Sequence, residues 1–200
     1  MNYDNKKIAG LLFFVGVVQY VFGIVISEAV YSGYSVGQQV VSDLGDWNLA
    51  GNHAAIWNTS VILLGLFVIA GAYYIQRGFR KRLFTSLLVV NGVGWIGIGV
   101  FALNISSSLH NIFGLVGTFV FGWASVIVSY KFQKSPFSYL SVIFGAVMLV
   151  AGILLESGFY LGLGLGGMQR LAIFSFLFWM LGFGAYLMGE SSNTTLTSKT

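Results

Sequence analysis

Residues 57–82 read WNTSVILLGLFVIAGAYYIQRGFRKR, an apolar stretch that ends in a cluster of basic side chains. The first 20 residues of this stretch carry no charge. They are long enough to cross a hydrocarbon core of about 30 Å as an α-helix. The last six include three arginines and one lysine, and such residues accumulate on the cytoplasmic side of membrane proteins. The stretch therefore predicts a transmembrane helix whose C-terminal end faces the cytoplasm.

The same apolar pattern recurs along the chain of 200 residues, of which 56% are hydrophobic and 8% are charged. The mean hydropathy is +0.83, whereas a soluble domain carries about 25% charged residues. Backbone amides cannot stay unpaired in lipid, and the alternating pattern of a β-barrel is absent. We predict an all-α, polytopic membrane protein, a bundle of six transmembrane helices. The predicted spans are 8–27, 57–76, 83–103, 110–131, 137–156 and 170–189.

Basic residues are confined to alternate connections between these spans. They precede the first span and occupy the second and fourth loops, whereas the other loops contain no lysine or arginine before Arg170. By the positive-inside rule, a multi-pass plasma-membrane protein with both termini in the cytoplasm is expected. The first apolar stretch lacks a small-residue cleavage site, so we interpret it as a retained helix and not a signal peptide. The basic residues are explained as topology signals, and no nucleic-acid partner is expected.

Two further features concern organisation and packing. Residues 1–190 are predicted to form one transmembrane domain, and residues 191–200, which are rich in serine and threonine, a disordered cytoplasmic tail. The segment 91–101, NGVGWIGIGVF, places small residues along the third span, a pattern that permits close helix packing in lipid. The chain has no cysteine, which excludes disulfides and thiolate metal sites.

The first loop is long and unusually polar. Residues 34–58 contain two aspartates, one histidine, two glutamines and three asparagines, without a lysine or arginine. Val36, Val40 and Leu44 recur at four-residue spacing after Ser35, a plausible N-cap. This pattern predicts a short amphipathic helix over residues 35–45, lying flat in the first extracytoplasmic loop with its valines and leucine toward the membrane or the helix tops.

Three motifs resemble a known family. They are YSVGQQVVSDLG (34–45), IWNTSVILLG (56–65) and LHNIFGLVGTFVFG (109–122). They resemble a family of six-helix prokaryotic membrane proteins catalogued as a domain of unknown function. In that family a Tyr-Ser element leads to a Ser-acid-Leu-Gly motif, a Phe-Asn pair opens the second span, a histidine opens the fourth, and Glu-Arg-Leu lies near the last. The matching residues here are Asp43, Trp57, Asn58, His110, Gln169, Arg170 and Leu171.

Two departures from the family pattern stand out. The family often has an acidic residue before the histidine, where this chain reads NISSSLH, and Gln169 replaces the family's glutamate. The first departure weakens any idea of an acid–histidine pair. The resemblance implies a six-helix fold and an unknown function.

Polar side chains collect at the outer ends of the predicted spans. Helix ends on one side of a small bundle lie close together, so we expect one extracytoplasmic pocket. The candidate ligand-binding residues are Ser42, Asp43, Asp46, Asn58, Asn111, Glu156 and Arg170.

Arg170 is the one basic residue predicted on the outer side. An unpaired charge at a helix end is costly to desolvate, so Arg170 is expected to pair with an outer carboxylate. Glu156 is the nearest in sequence, and Asp43 is the alternative partner. A different hypothesis has Arg170 bind a phosphate or carboxylate ligand through both of its terminal nitrogens.

Metal binding and catalysis are weaker hypotheses. Asp43, Asp46, His53 and His110 offer oxygen and imidazole ligands of the kind that zinc accepts, although their spacing matches no established metal motif. Asp43, His53 and His110 are also candidate catalytic residues, with Ser42 as a possible partner of His110. Solvated loop acids and helix caps explain the same residues equally well. No particular cofactor follows from these residues.

Two classes of function remain open. The first is a lipid-binding, sensing or complex-forming membrane module, whose partners are membrane lipids and, for a complex-forming module, other membrane subunits. The second is an outer-leaflet enzyme, a lipid hydrolase or transferase that works with or without a metal. We favour the first, because no recognisable nucleophile–base motif occurs. No charged residue lies near the middle of a predicted span, so an ion-coupled transporter is not expected.

Overall fold

The computed structural model describes residues 4–190, and within that range the fold is entirely helical. Six helical segments are long and apolar enough to cross a membrane, which confirms the predicted class and number of spans. Their bounds are Asn5–Val30, Trp47–Phe79, Arg82–Val100, Ser107–Phe132, Phe137–Ser157 and Gly164–Glu190. The protein is therefore a multi-pass membrane protein. The tail predicted over 191–200 lies outside the described residues.

Eight α-helices make up these spans. They are α1 (Asn5–Val30), α2 (Trp47–Ala50), α3 (Ala54–Phe79), α4 (Arg82–Val100), α5 (Ser107–Ile112), α6 (Phe121–Ser129), α7 (Phe137–Ser157) and α8 (Gly164–Glu190). A π-helical segment, Phe113–Val120, joins α5 to α6, and a 3-10 helix, Tyr130–Phe132, follows α6, so the fourth span consists of four consecutive helical parts. Asp4 caps α1 by accepting from the amide of Lys6 at 3.0 Å, and Gly158, at φ 76°, ends α7 in the left-handed region.

The helices form a closed ring. α3 packs between α1 and α4, α8 packs between α1 and α7, and the fourth span closes the ring between α4 and α7. In the fourth span, α6 contacts both α7 and α8, whereas the π-helical segment packs chiefly on α4. The half of the fourth span that contains α5 and the π-helical segment therefore leaves space beside α7 and α8.

Glycines bring several helix backbones into direct contact. A Cβ built on Gly94 would lie 2.6 Å from the Cα of Gly117, and one built on Gly65 would lie 2.5 Å from the carbonyl oxygen of Gly92. Lipid tails are as apolar as leucine, so helices associate in membranes through such close packing of small residues. The packing role predicted for the glycines of the third span is confirmed.

One end of the bundle carries the two described chain ends. Lys6 at the start of α1 and Lys134 between α6 and α7 both lie 3.5 Å from carboxylate oxygens of Glu190, the last residue of α8. We call this the terminal end. The opposite end carries residues 31–53, which we call the cap segment, and we call that end the cap end.

The helix predicted over residues 35–45 is wrong in extent and type. Turns occupy residues 35–39, and a 3-10 helix, Val41–Gly45, follows. Val36, predicted on the apolar face, is 47% exposed, whereas Leu44 is fully buried.

The physical reason lies in α8. The carbonyl oxygen of Gly37 accepts from the amide of Gly166 at 2.9 Å, and the amide of Val41 donates to Gln169 Oε1 at 2.6 Å. These tertiary hydrogen bonds engage backbone groups that a continuous helix would have used internally.

Candidate functional site

Arg170, on α8 near the cap end, pairs with a carboxylate on the first span. Its Nη2 lies 2.6 Å from Glu28 Oε1 and donates to Tyr34 Oη at the same distance. The expected pairing of Arg170 with a carboxylate is confirmed, but the predicted partners Glu156 and Asp43 are wrong. Glu28 ends up opposite Arg170 because α1 and α8 pack side by side. Glu156 makes no ion pair or hydrogen bond with another described residue.

The other terminal nitrogen of Arg170 binds backbone. Nη1 donates to the carbonyl oxygens of Val36 at 2.8 Å, Gln39 at 3.1 Å and Gly166 at 3.0 Å. The guanidinium is thus surrounded by acceptors from the cap segment, α1 and α8. This arrangement makes Arg170 a clamp between the cap segment and the bundle, with its terminal nitrogens already engaged.

Tyr34 completes the clamp. Its hydroxyl accepts from Arg170 and donates to the carbonyl oxygen of Val40 at 2.9 Å. Burial raises the pKa of the Tyr34 hydroxyl, against the opposing effect of Arg170, so this group stays protonated and remains a donor at neutral pH.

The Ser-acid-Leu-Gly motif contacts the Trp-Asn pair. Asn58 Nδ2 donates to the carbonyl oxygen of Gly45 at 2.9 Å, and a Cβ on Gly45 would lie 2.5 Å from Asn58 Oδ1. Leu44 and Trp57 are buried in the same core. Together with Tyr34 and Arg170, the residues quoted for the family resemblance hold the cap segment on the bundle.

A cavity of about 380 Å³ lies beneath the cap segment. Its wall includes residues from all six spans and from the 3-10 helix of the cap segment. Asn111 and Leu115 on the fourth span and Glu156 on α7 are exposed wall residues, so the cavity opens at the surface between these two elements. Ligand pockets for small molecules span about 300–1,000 Å³, so this cavity is large enough for one.

The wall combines a polar set with aromatic and aliphatic residues. The polar set is Ser42, His110, Asn111, Thr118, Glu156 and Gln169. The aromatic residues are Tyr20, Trp57, Trp95 and Phe119. Most of the other wall residues are aliphatic: Ile98, Leu115, Leu155, Ala172 and Ile173.

Several polar groups of the wall have unused hydrogen-bonding capacity. Ser42 is only 7% exposed, and its hydroxyl makes no hydrogen bond with any residue between 4 and 190. Asn111 and Glu156 likewise have no side-chain partner in that range. Gln169 uses Oε1 to accept from Val41, which leaves its amide donors available. Buried polar groups normally find a partner, so Ser42 indicates a wall suited to a polar ligand or water.

His110 has a defined orientation. Its Nδ1 lies 2.9 Å from the carbonyl oxygen of Phe101. A carbonyl oxygen only accepts, so Nδ1 carries a proton and donates to Phe101. His110 and Ser42 line the same cavity but make no hydrogen bond with each other.

The π-helical segment forms one side of the cavity. Gly114 and Thr118 both line it, and the Thr118 hydroxyl donates to the carbonyl oxygen of Gly114. Phe119 reaches across to pack on Gly152 of α7. π-helical turns are rare and frequent at functional sites, and here the segment positions residues that line the cavity.

The residues predicted to form a single pocket fall into two groups, those in the cavity wall and those outside it. The structure places Ser42, His110, Asn111 and Glu156 in its wall. The wall does not include Asp43, Asp46, His53, Asn58 or Arg170. Ligand binding by the residues of either group, in the wall or outside it, stays a prediction. Sequence reasoning missed Gln169 and the aromatic residues as parts of the wall, although Gln169 and Trp57 both match positions of the family pattern.

The acids of the cap segment interact with nearby groups of the same segment. Asp46 caps α2, accepting from the amides of Asn48 at 2.8 Å and Leu49 at 3.3 Å. Partial burial raises the pKa of Asp43, and the charge of Asp46 raises it further. His53 is exposed. Within residues 4–190, no group of three or more histidine, cysteine, aspartate or glutamate side chains is arranged to hold a metal ion.

Comparison with family profiles gives a match over most of the chain. The profile of the family described as "Protein of unknown function (DUF998)" matches residues 14–186, which include almost all of the six spans. The chain belongs to the DUF998 family. Comparison with curated proteins and with solved structures gives no match. The expected family and fold are thus confirmed, and the function has to be argued from the cavity.

Proposed function

We propose that this DUF998 protein is a membrane module that binds an amphiphilic lipid molecule, with the polar end of the ligand in the cavity. The observation that carries the proposal is the cavity wall, where unpaired polar groups and apolar surface meet in a space that opens between two spans. Binding of this kind suits a lipid-binding, sensing or complex-forming role.

The composition of the wall supports an amphiphile over a fully polar ligand. Ligand sites are mostly apolar, with a few polar groups that fix orientation. Ser42, Asn111 and Glu156 come from the cap segment, the fourth span and α7, so three separate elements supply such groups. Leu115, exposed at the opening, gives an alkyl chain an apolar exit toward lipid.

The proposal includes an orientation in the plasma membrane, with the cap end outside and the terminal end in the cytoplasm. The positive-inside rule supports it. The lysines and arginines of the 77–82 and 131–134 connections lie at the end where Lys6 meets Glu190, and the cap segment contains none. A ligand would then enter from the outer leaflet.

Filling the cavity is expected to abolish ligand binding. A Cβ on Gly114 would have only Ile98 Cγ2 nearby, at 3.9 Å, so Gly114→Leu places a branched side chain in the cavity without a backbone clash. We expect at least about a tenfold loss of co-purified lipid, since a displaced ligand loses its apolar contacts. Native mass spectrometry of the full chain, released from a mild detergent, measures this loss.

The matched control is Gly189→Leu. It adds the same side chain to α8 at the terminal end, where a Cβ meets nothing within 4 Å. This variant should retain the lipid of the unmodified protein. Equal lipid occupancy in both variants would contradict the proposal.

The orientation predicts which side of the membrane each end of the bundle faces. Since the chain has no cysteine, single cysteines at the exposed positions Asn48 and Lys81 report the two ends without background labelling. A membrane-impermeant maleimide added to intact cells should label Asn48→Cys, and Lys81→Cys should react only after the cells are opened. The reverse pattern would invert the proposed topology.

An outer-leaflet enzyme is the second candidate, because Ser42 and His110 line the same cavity and His110 is oriented by Phe101. A nucleophile and its base normally lie within hydrogen-bond reach, and these two side chains do not make that bond. Cleaved lipid in the same mass spectra, lost on Ser42→Ala, would favour the enzyme over the binding module.

A further inference from the structure

We propose that the ligand of this cavity carries a cationic, ammonium-type head, and that Glu156 is its counter-ion. This inference rests on the proposed lipid-binding function and adds the charge of the ligand. It applies equally to an amine-headed lipid and to a free alkylamine, which share that chemistry.

The charge of the wall carries the inference. Of the residues that line the cavity, Glu156 is the only acid, and none is lysine or arginine. Glu156 is exposed at the opening and has no partner among residues 4–190. A carboxylate that faces a partly apolar space without a cation is better satisfied by a positive ligand than by a neutral one.

Arg170, the nearest candidate for binding an anionic head, is already occupied. Its terminal nitrogens bind Glu28, Tyr34 and three backbone carbonyl oxygens, and Arg170 is not part of the cavity wall. A phosphate or carboxylate ligand would have to displace those partners. The structure therefore disfavours the anion-binding role considered for Arg170 on the sequence.

The neutral polar groups of the wall also suit a donor head. The Ser42 hydroxyl and the Asn111 side-chain carbonyl are acceptors that an ammonium group can bind. Trp57 and Trp95 line the apolar part of the wall. Aromatic faces attract organic cations, tryptophan most strongly. The charge of Glu156 is therefore what favours a cation, and the wall also supplies acceptors and aromatic surface that can contact it.

The test compares three ligands that share a decyl group and differ in the head group: decylammonium, decanol and decyl phosphate. Isothermal titration calorimetry, with each ligand titrated into the full-length protein in maltoside micelles, measures each affinity. The same titration of the Gly114→Leu variant, whose cavity is filled, measures the heat that comes from partitioning of the ligand into the micelle. We expect decylammonium to bind most tightly and decyl phosphate most weakly. Glu156→Gln should weaken decylammonium about three- to fivefold, the effect of a partly exposed ion pair, and leave decanol unchanged.

The matched control is Asp43→Asn. It removes a carboxylate from the cap end that does not line the cavity, so it should alter none of the three affinities. Decyl phosphate binding as tightly as decylammonium, or an equal loss in both acid variants, would overturn the inference. If no ligand distinguishes the unmodified protein from Gly114→Leu, the proposed function itself fails. Decanol binding that depends on the cavity, without a preference for the cation, would overturn only the inference about charge.

Discussion

Replacing Arg170 with methionine is expected to lower the free energy of unfolding by about 3–5 kcal/mol, the cost of removing one partner from a buried ion pair. The side chain of Arg170 is 10% exposed and that of Glu28 is 23% exposed, so water compensates little for the lost partner. The change also leaves the carbonyl oxygen of Val36 without its donor and removes one of the two donors to the carbonyl oxygen of Gln39. Thermal unfolding of the purified protein in detergent, followed by circular dichroism, measures the effect.

The control for this prediction is Arg77→Met. Arg77 is an exposed arginine that donates to Tyr73 Oη at 3.1 Å, and exposed side-chain contacts of this kind contribute little to stability. We expect its unfolding temperature to stay close to that of the unmodified protein. Equal unfolding temperatures in the Arg170 and Arg77 variants would show that the clamp does not stabilise the bundle.

Gly117→Ala is expected to destabilise the protein by about 1–3 kcal/mol, because one added methyl group overpacks a helix contact. Gly117 is buried in the π-helical segment, and its Cβ would lie 2.5 Å from the Cα of Gly94 on α4. Backbone atoms on both sides prevent a side-chain adjustment, so the helices have to separate. Chemical denaturation of the protein in mixed micelles measures the change.

The control for Gly117→Ala is Gly114→Ala, in the same π-helical segment. Gly114 lies three residues earlier, and its Cβ would meet only Ile98 Cγ2 at 3.9 Å. Gly114→Ala should therefore leave stability nearly unchanged. If both alanine variants unfold at the same denaturant concentration, the close approach of α4 and the fourth span is not a stabilising contact.

The partner of Arg170 illustrates the limit of reasoning from local sequence. Scarcity of positive charge was sufficient to predict that Arg170 binds an outer-loop acid. Sequence distance favoured Glu156, because only 13 residues separate the two. The packing of α1 against α8 brings Glu28 to Arg170 instead. Glu156 is left at the mouth of the cavity, where it becomes the basis of the proposed ligand charge.

The sequence by itself determined the class of protein, the number of spans and which connections share one end of the bundle. Each of these depends on a local property: the length of an apolar stretch relative to a bilayer, or the presence of lysine and arginine in a connection. A stretch such as 57–82 carries that information without reference to the rest of the chain.

Only the tertiary structure decided the form of the cap segment and the existence of the cavity. Val36 and Val40 have helical spacing, but hydrogen bonds from Arg170 and Tyr34 to backbone carbonyl oxygens hold this part of the segment in turns. The cavity arises because the π-helical segment packs on α4 and leaves a gap beside α7 and α8. Both features depend on which helices are neighbours, and the many equally apolar faces of a membrane protein do not specify this in the sequence.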